Sequence, residues 1–212
     1  ARRRGVTSTQ VTLRLPISDD EIVARYAQAM RQAVQPKLLL LSQVTPTNGQ
    51  QLPVRQIMAL ARAHGIDVLL DSAHALGQVD VDVQAMGVDF AGFNLHKWLG
   101  APAGLGVVYI RASQLHKIEP HCGDDDYPLD DIRSRLHMGM PPIGAILAAP
   151  AAFDFHARLG GTPAKTERLA WLRNYWVSRA AQLPGVQMLS PLDARRGTAL
   201  VAFAVDGMEA RD

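Results

Sequence analysis

Two short stretches of this sequence hold most of the side chains that could do chemistry together. The first is Asp71-Ser72-Ala73-His74, which directly follows the apolar run Val68-Leu69-Leu70. The second is Asn94-Leu95-His96-Lys97-Trp98, which follows Val88-Asp89-Phe90-Ala91-Gly92-Phe93. A lysine that forms an imine must spend time neutral, because only the free amine attacks a carbonyl. Desolvation and nearby positive charge both favour that form. Lys97 has Leu95, Trp98 and Leu99 around it, and the adjacent His96 is a residue able to carry a positive charge. It is one of four lysines (Lys37, Lys97, Lys117, Lys165) among 22 basic residues, so a lysine inside an apolar stretch stands out. An acid held opposite a pyridine nitrogen keeps that nitrogen protonated and makes the ring a better electron sink. Asp71, at a strand end, is suited to that. Asn94 and His96 bring donors suited to a phosphate, and His74 one suited to a phenolic oxygen.

These are the parts of a pyridoxal phosphate site. Singly, each has a plainer reading: Asp71 as a turn former, His74 as a loop histidine, Lys97 as a solvated cation. The joint order carries the weight. Asp71-x-x-His74, then Asn94-x-His96-Lys97-Trp98, then Gly104-x-Gly106 before the strand Val107-Val108-Tyr109-Ile110, resembles the class V aminotransferase family of fold-type I pyridoxal phosphate enzymes. Within it, the tryptophan after the lysine resembles the isopenicillin N epimerase-like branch. Leu38 to Gly49, with Pro53 following, resembles the family's strand and loop before the acid, and the similarity runs from about residue 10 to the end. The resemblance implies Lys97 as the Schiff-base lysine and Asp71 as partner of the pyridine nitrogen. It sets His74 against the ring or its phenolic oxygen, Asn94 and His96 near the phosphate, and Thr45 or Thr47 along the ring pocket.

The elements that must position these residues read as an alternation of strands and helices. Gln10 to Leu15 alternates and ends at Pro16, which suits a strand. Ser18 and Glu21 form a capping box for a helix to about Ala33, with Ile22, Tyr26, Ala29, Met30 and Ala33 on one face. Leu38 to Leu41 is continuously apolar, like a parallel strand buried on both faces. Pro53 to His64 predicts a helix stopped by Gly65, and Asp67 to Asp71 the next strand. Val83 to Gly87 predicts a short helix before the strand that delivers Lys97. Further on, helices are expected over Pro142–Leu159 and from a Thr162-Pro163 start to about Leu183, the second with a packing stripe of Leu169, Leu172, Trp176 and Ala180. Val186–Leu189 and Ala199–Val205 read as strands. The fold class expected is α/β: a doubly wound, mostly parallel sheet, followed by the start of a smaller α/β region. Residues 1–140 would be the major part of the cofactor-binding large domain, and 141–212 connecting helices with an incomplete small domain.

Composition narrows the function. A net charge of +2 over 212 residues argues against nucleic acid, and no apolar run approaches the roughly 20 residues that span a membrane. A single cysteine, Cys122, precludes an internal disulfide and fits a reducing, cytoplasmic setting. Cys122-Gly123-Asp124-Asp125-Asp126 lacks the alternating spacing of a calcium loop and reads as solvated; no metal is expected. The Ala1-Arg2-Arg3-Arg4-Gly5 start lacks an apolar region behind it, so it reads as the middle of a longer chain.

By resemblance, the protein uses pyridoxal 5'-phosphate on an amino acid through an internal aldimine and a Cα carbanion, in epimerase-like or aminotransferase chemistry, as a homodimer. Desulfurase or C–S lyase activity is one alternative, and a truncated, non-catalytic relative another. A nucleotide-binding oxidoreductase would need its Gly-rich turn between a strand and a helix; here that turn precedes a strand. Family members are about twice as long, and many carry Gly-Thr where this chain has Gly139-Met140; methionine cannot donate the threonine's hydrogen bond to a phosphate.

Overall fold

The computed structural model describes residues 5–14, 16–120, 126–136, 139–193 and 195–209. Cys122 and most of the acidic loop lie outside them. The helix α1, Asp19–Gln32, starts where the capping box places it: the Ser18 hydroxyl accepts the Glu21 amide at 3.2 Å. Three acids fill its first turn, where the helix dipole favours negative charge. Its buried face is Ile22, Tyr26 and Met30, at the i, i+4, i+8 spacing of one stripe. The helix α2, Val54–Ala63, buries Val54, Ile57, Met58 and Ala61, and Gly65 leaves it at φ +67°.

Both helices lie on one face of a four-stranded sheet in the order β1 (Leu38–Ser42), β2 (Asp67–Asp71), β3 (Phe90–Asn94), β4 (Gly106–Ile110). The first three strands are parallel and β4 is antiparallel to β3. The core consists of the inward residues of the strands, Leu41, Val68, Leu70, Ala91 and Phe93, against the stripes of α1 and α2. The expected mostly parallel α/β sheet is therefore what the chain forms.

Several local expectations need correction. Residues 10–14 form no strand; Val11 and Leu13 instead pack from irregular chain onto the core. β1 is an edge strand, and Leu38 and Leu40 on its second face are 59% and 66% exposed, so it is not buried on both faces. Residues 83–87 make turns rather than a helix, tied by Met86 N–H to Asp82 O and Val88 N–H to Val83 O. Asp82 caps the segment, its carboxylate accepting the Gln84 and Ala85 amides, but Gly87 at φ +71° stops it after one turn.

Beyond β4, α3 (Ile143–Arg158) buries none of its residues fully, although Ala149 and Ala152 pack against Leu95, Leu99 and Ala101. The helix α4 (Gly161–Ala180) begins before Thr162-Pro163, with Gly160 at φ +90° as its cap. Its buried residues are Arg173 and Val177, flanked by half-buried Leu169, Trp176 and Ala180, while Leu172 is exposed. The stripe is thus rotated slightly from the expected one, because a buried arginine occupies its centre. A two-stranded antiparallel sheet, β5 (Val186–Met188) with β6 (Phe203–Val205), follows. Among the described residues, no helix is long and apolar enough to cross a membrane.

Ile57 is fully buried between α2 and the sheet, so Ile57→Ala should cost roughly 2–5 kcal/mol. Ser18→Ala removes one cap and should cost about 1 kcal/mol. Urea unfolding of both variants checks the order; equal midpoints would mean that the α1–α2–sheet core is not the cooperative unit.

Candidate active site

Parallel pairing puts the C-terminal ends of β1, β2 and β3 on one edge of the sheet, together with the N-terminal end of β4. Asp71 ends β2 and Asn94 ends β3 at that edge. Polar contacts extend the ladder past the strands. Gln43 N–H donates to Asp71 O at 2.8 Å, and Ser72 N–H donates to Gly92 O at 2.9 Å. The fully buried Ser72 hydroxyl donates to Gln43 Oε1 at 2.7 Å, joining the ends of β1 and β2. Gln43 and Ser72 carried no functional signal in the sequence, yet they stiffen the edge on which Asp71 stands.

The chain turns back immediately after each strand. Asp71 Oδ1 accepts the Ala73 amide at 2.9 Å, and its second oxygen has no partner among the described residues. The 72–79 turn then presents His74, and the turn after β3 presents Lys97. Lys97 Nζ lies 3.0 Å from His74 Nε2, 23 residues apart in sequence. The two turns touch at Gly77, where an added Cβ would sit 2.8 Å from the Trp98 carbonyl carbon and 2.9 Å from Leu99 N. Gly77 is also at φ +88°, so the position demands glycine both for space and for backbone.

The surroundings of Lys97 differ from the expected apolar jacket. Leu95 and Leu99 are buried, at 3% and 4% exposure, but Lys97 itself is exposed. Successive residues of a turn point in different directions, so the leucines go into a small core with Ala101 while the lysine goes out. The basic neighbour of its amine is His74 rather than His96. His96 Nδ1 faces the Leu105 carbonyl at 2.9 Å, and since a carbonyl only accepts, Nδ1 carries the hydrogen.

His74 is held below its ordinary value of 6.5, by burial first and by the Lys97 charge second, with Asp71 pulling the other way. Its Nδ1 is buried without a partner among the described residues. Thr45 is buried, and its hydroxyl is used inside its own loop, donating to Asn48 Oδ1 at 2.5 Å and accepting the Gln50 amide at 2.9 Å. Thr47 is exposed. The structure thus brings Lys97, His74 and Asp71 together and puts Asn94 and His96 on the adjoining strand end and turn. Met140 is 89% exposed. No group of three or more His, Cys, Asp or Glu side chains that could hold a metal ion occurs among the described residues.

Residues 7–212 match the family Aminotransferase class-V. The chain belongs to that family. Its members are pyridoxal phosphate-dependent enzymes. The chain is 32% identical over 171 residues to a putative L-cysteine desulfhydrase 1 of Oryza sativa subsp. japonica, covering 75% of this chain and 35% of that protein. It is 30% identical over 220 residues to the isopenicillin N epimerase of Streptomyces clavuligerus, covering 96% of this chain and 54% of that protein. Among solved structures, the cystine C-S lyase C-DES in complex with its reaction product cysteine persulfide is similar at a TM-score of 0.75 and 27% identity, over 87% of this chain and 51% of that one. The chain therefore spans between a third and about half of the length of these relatives. The class V family replaces the nucleotide-binding oxidoreductase alternative.

The donor set fits the family's cofactor: an exposed primary amine, a strand-end carboxylate with a free oxygen, and an imidazole whose buried nitrogen lacks a partner. Two titrations follow from the causes of the His74 shift. Lys97→Met should raise the His74 pKa part of the way towards 6.5, since burial remains, and Asp71→Asn should lower it further. Histidine NMR titration reads both, and movement in the opposite sense would refute the contact. Between the lowered folded value and 6.5 the unfolded chain binds more protons, so this histidine costs stability as pH falls through that window and nothing above it.

Proposed function

We propose that this chain carries the cofactor-binding part of a pyridoxal phosphate enzyme that acts on an amino acid by moving its Cα proton. The observation behind this reading is the 3.0 Å approach of Lys97 Nζ to His74 Nε2 beside Asp71, at the shared end of parallel strands. Lys97 would hold the cofactor covalently and, once released by substrate, take or return the proton at Cα. Asp71 would keep the ring nitrogen protonated with its unpartnered oxygen. When bound, the cofactor supplies the electron sink that makes the Cα proton removable.

The Lys97–His74 contact has two proton arrangements. In one, the ammonium donates to Nε2; in the other, Nε2–H donates to the free amine. The second is the one imine formation needs, and it leaves the buried Nδ1 as an unfilled acceptor. In the second arrangement His74 would present the lysine in its nucleophilic form, and it would next serve a phenolic oxygen. His96, with its Nδ1 hydrogen given to Leu105 O, would meet a phosphate oxygen through Nε2 only as the imidazolium, a charge the phosphate itself would stabilise. Asn94 would add a neutral donor, and Thr47 would line the ring pocket more readily than the committed Thr45.

Epimerase-like or aminotransferase chemistry is the leading assignment, supported by Trp98 and by likeness to the epimerase over nearly the whole chain. Desulfurase or C–S lyase chemistry is the second reading, supported by the desulfhydrase and C-S lyase similarities. The division at residue 140 into a large-domain part and a small-domain part belongs to the same proposal. So does a homodimer, supported by the mostly apolar α3 with no fully buried residue. A cytoplasmic setting rests on the single cysteine.

The test is absorption with added pyridoxal phosphate, then borohydride trapping and peptide mapping. A visible band and a stable adduct on Lys97, both absent in Lys97→Ala, are expected; Gly77→Ala, which pushes the two turns apart, should cut adduct formation at least tenfold. Sulfide release from L-cysteine by the loaded protein would favour the second reading. No adduct on Lys97 would refute both and leave a non-catalytic relative.

A further inference from the structure

The two turns that carry His74 and Lys97 follow different strands, and a third element grips both. Lys165 and Thr166 are consecutive residues in the first turns of α4. Lys165 Nζ donates to the Trp98 carbonyl, one residue past Lys97. Thr166 Oγ1 donates to the Gln78 carbonyl at 2.7 Å, with the Thr162 carbonyl of its own helix as a second acceptor at 2.8 Å. Gln78 is almost fully buried, and its amide Nε2 donates to the His74 carbonyl, while its Oε1 accepts the Ala199 amide at 3.3 Å. One helical turn is thus bonded to the residue after the lysine and, through Gln78, to the backbone of the histidine. Gly77 lets those same turns approach to backbone contact.

We propose that Lys165 and Thr166 are positioning residues that hold the His74 turn and the Lys97 turn at their working separation. The proposal rests on the reading of Lys97 as the cofactor lysine. The geometry explains why the grip matters: at 3.0 Å the His74–Lys97 contact is a hydrogen bond, and a slip of about 1 Å abolishes it. It also explains a cost. Burial pushes the Lys165 ammonium below its usual value, and the carbonyl of Trp98 is what it gains in return. His156, which meets Thr162 Oγ1 at 3.1 Å, is also held below its ordinary value, by burial and by the Lys165 charge. The cation is thus placed where its neighbours pay for it, at the base of the lysine turn.

The experiment compares the parent protein with a Lys165→Met/Thr166→Val double variant, a Lys165→Arg variant and, as a control on the same helical turn, Glu167→Gln. Two readouts are taken: the His74 NMR titration without cofactor, and the pH dependence of the rate at which added pyridoxal phosphate becomes trapped on Lys97 by borohydride. In the double variant the His74 titration should rise towards 6.5, as the Lys97 charge moves away, and trapping should slow by roughly ten- to a hundredfold. Lys165→Arg, which keeps a cation for the carbonyl, should recover most of both, and Glu167→Gln should match the parent. A double variant with the parent's titration and trapping rate overturns the proposal, as does an equal change in Glu167→Gln. If the parent traps nothing on Lys97, the functional reading falls instead, and the titration alone decides the grip.

Discussion

The parallel register of β2 on β3 is the constraint on which the site depends. Leu69 pairs with Phe90 and Asp71 with Gly92, so β2 ends two residues short of the end of β3 and the chain turns twice at the same edge. Parallel strands cannot be joined by a tight hairpin, and the crossover between them sends the chain away and back. The side chains of the two turns therefore meet only because the strands beneath them are aligned. A slip of β2 by one residue would turn Val68 and Leu70 out of the core and carry Asp71 to the wrong face.

Buried polar contacts then fix what apolar packing leaves loose. Packing is non-directional, whereas a buried donor or acceptor without a partner costs free energy, so such groups select one arrangement. Gln43 and Ser72 bolt β1 to β2. The loop after β1 is fastened to the C-terminal region: Asn48 Nδ2 donates to Leu189 O at 2.9 Å, Ser190 Oγ donates to Asn48 O at 2.6 Å, and Thr198 Oγ1 donates to Gly49 O at 2.9 Å. An added Cβ at Gly49 would lie 2.2 Å from the Leu200 carbonyl oxygen, so only glycine admits that seam. Arg173, buried in α4, donates towards the Thr198 carbonyl and to Asn174 and is held below its usual pKa by burial. The C-terminal region is thereby seated against the β1 loop by polar contacts as well as by hydrophobic area.

The same logic separates residues whose polar atoms are used within the protein from those proposed to face a ligand. Thr45 and Gln43 have their polar atoms committed to the protein. Among the described residues, Asp71 keeps an oxygen, His74 a ring nitrogen and Thr47 a hydroxyl without a partner, and the Lys97 amine meets only His74. Chemistry in this family needs groups of the second kind held by groups of the first, and the strand edge is where both occur together.

Residue order by itself determined a good deal. Ser18 and Glu21 started α1, Gly65 ended α2, and the apolar runs ending at Asp71 and Asn94 were strands, because caps, stops and buried strands are encoded within a few neighbouring residues. The Asp–His–Asn–His–Lys–Trp order also sufficed to name the family, since chemistry dictates which residue types recur. Tertiary structure decided the rest. Residues 10–14 alternate like a strand but find no backbone partner among the described residues, and Leu38 to Leu41 of β1 are all apolar yet lie at an edge with one face open. Lys97 reads as embedded in apolar residues yet points outward, and its basic partner is the remote His74 instead of the adjacent His96. The grip of Lys165 on Trp98 spans 67 residues. Local propensity is a property of neighbours along the chain, whereas burial, edges and proton partners depend on what folding brings across it.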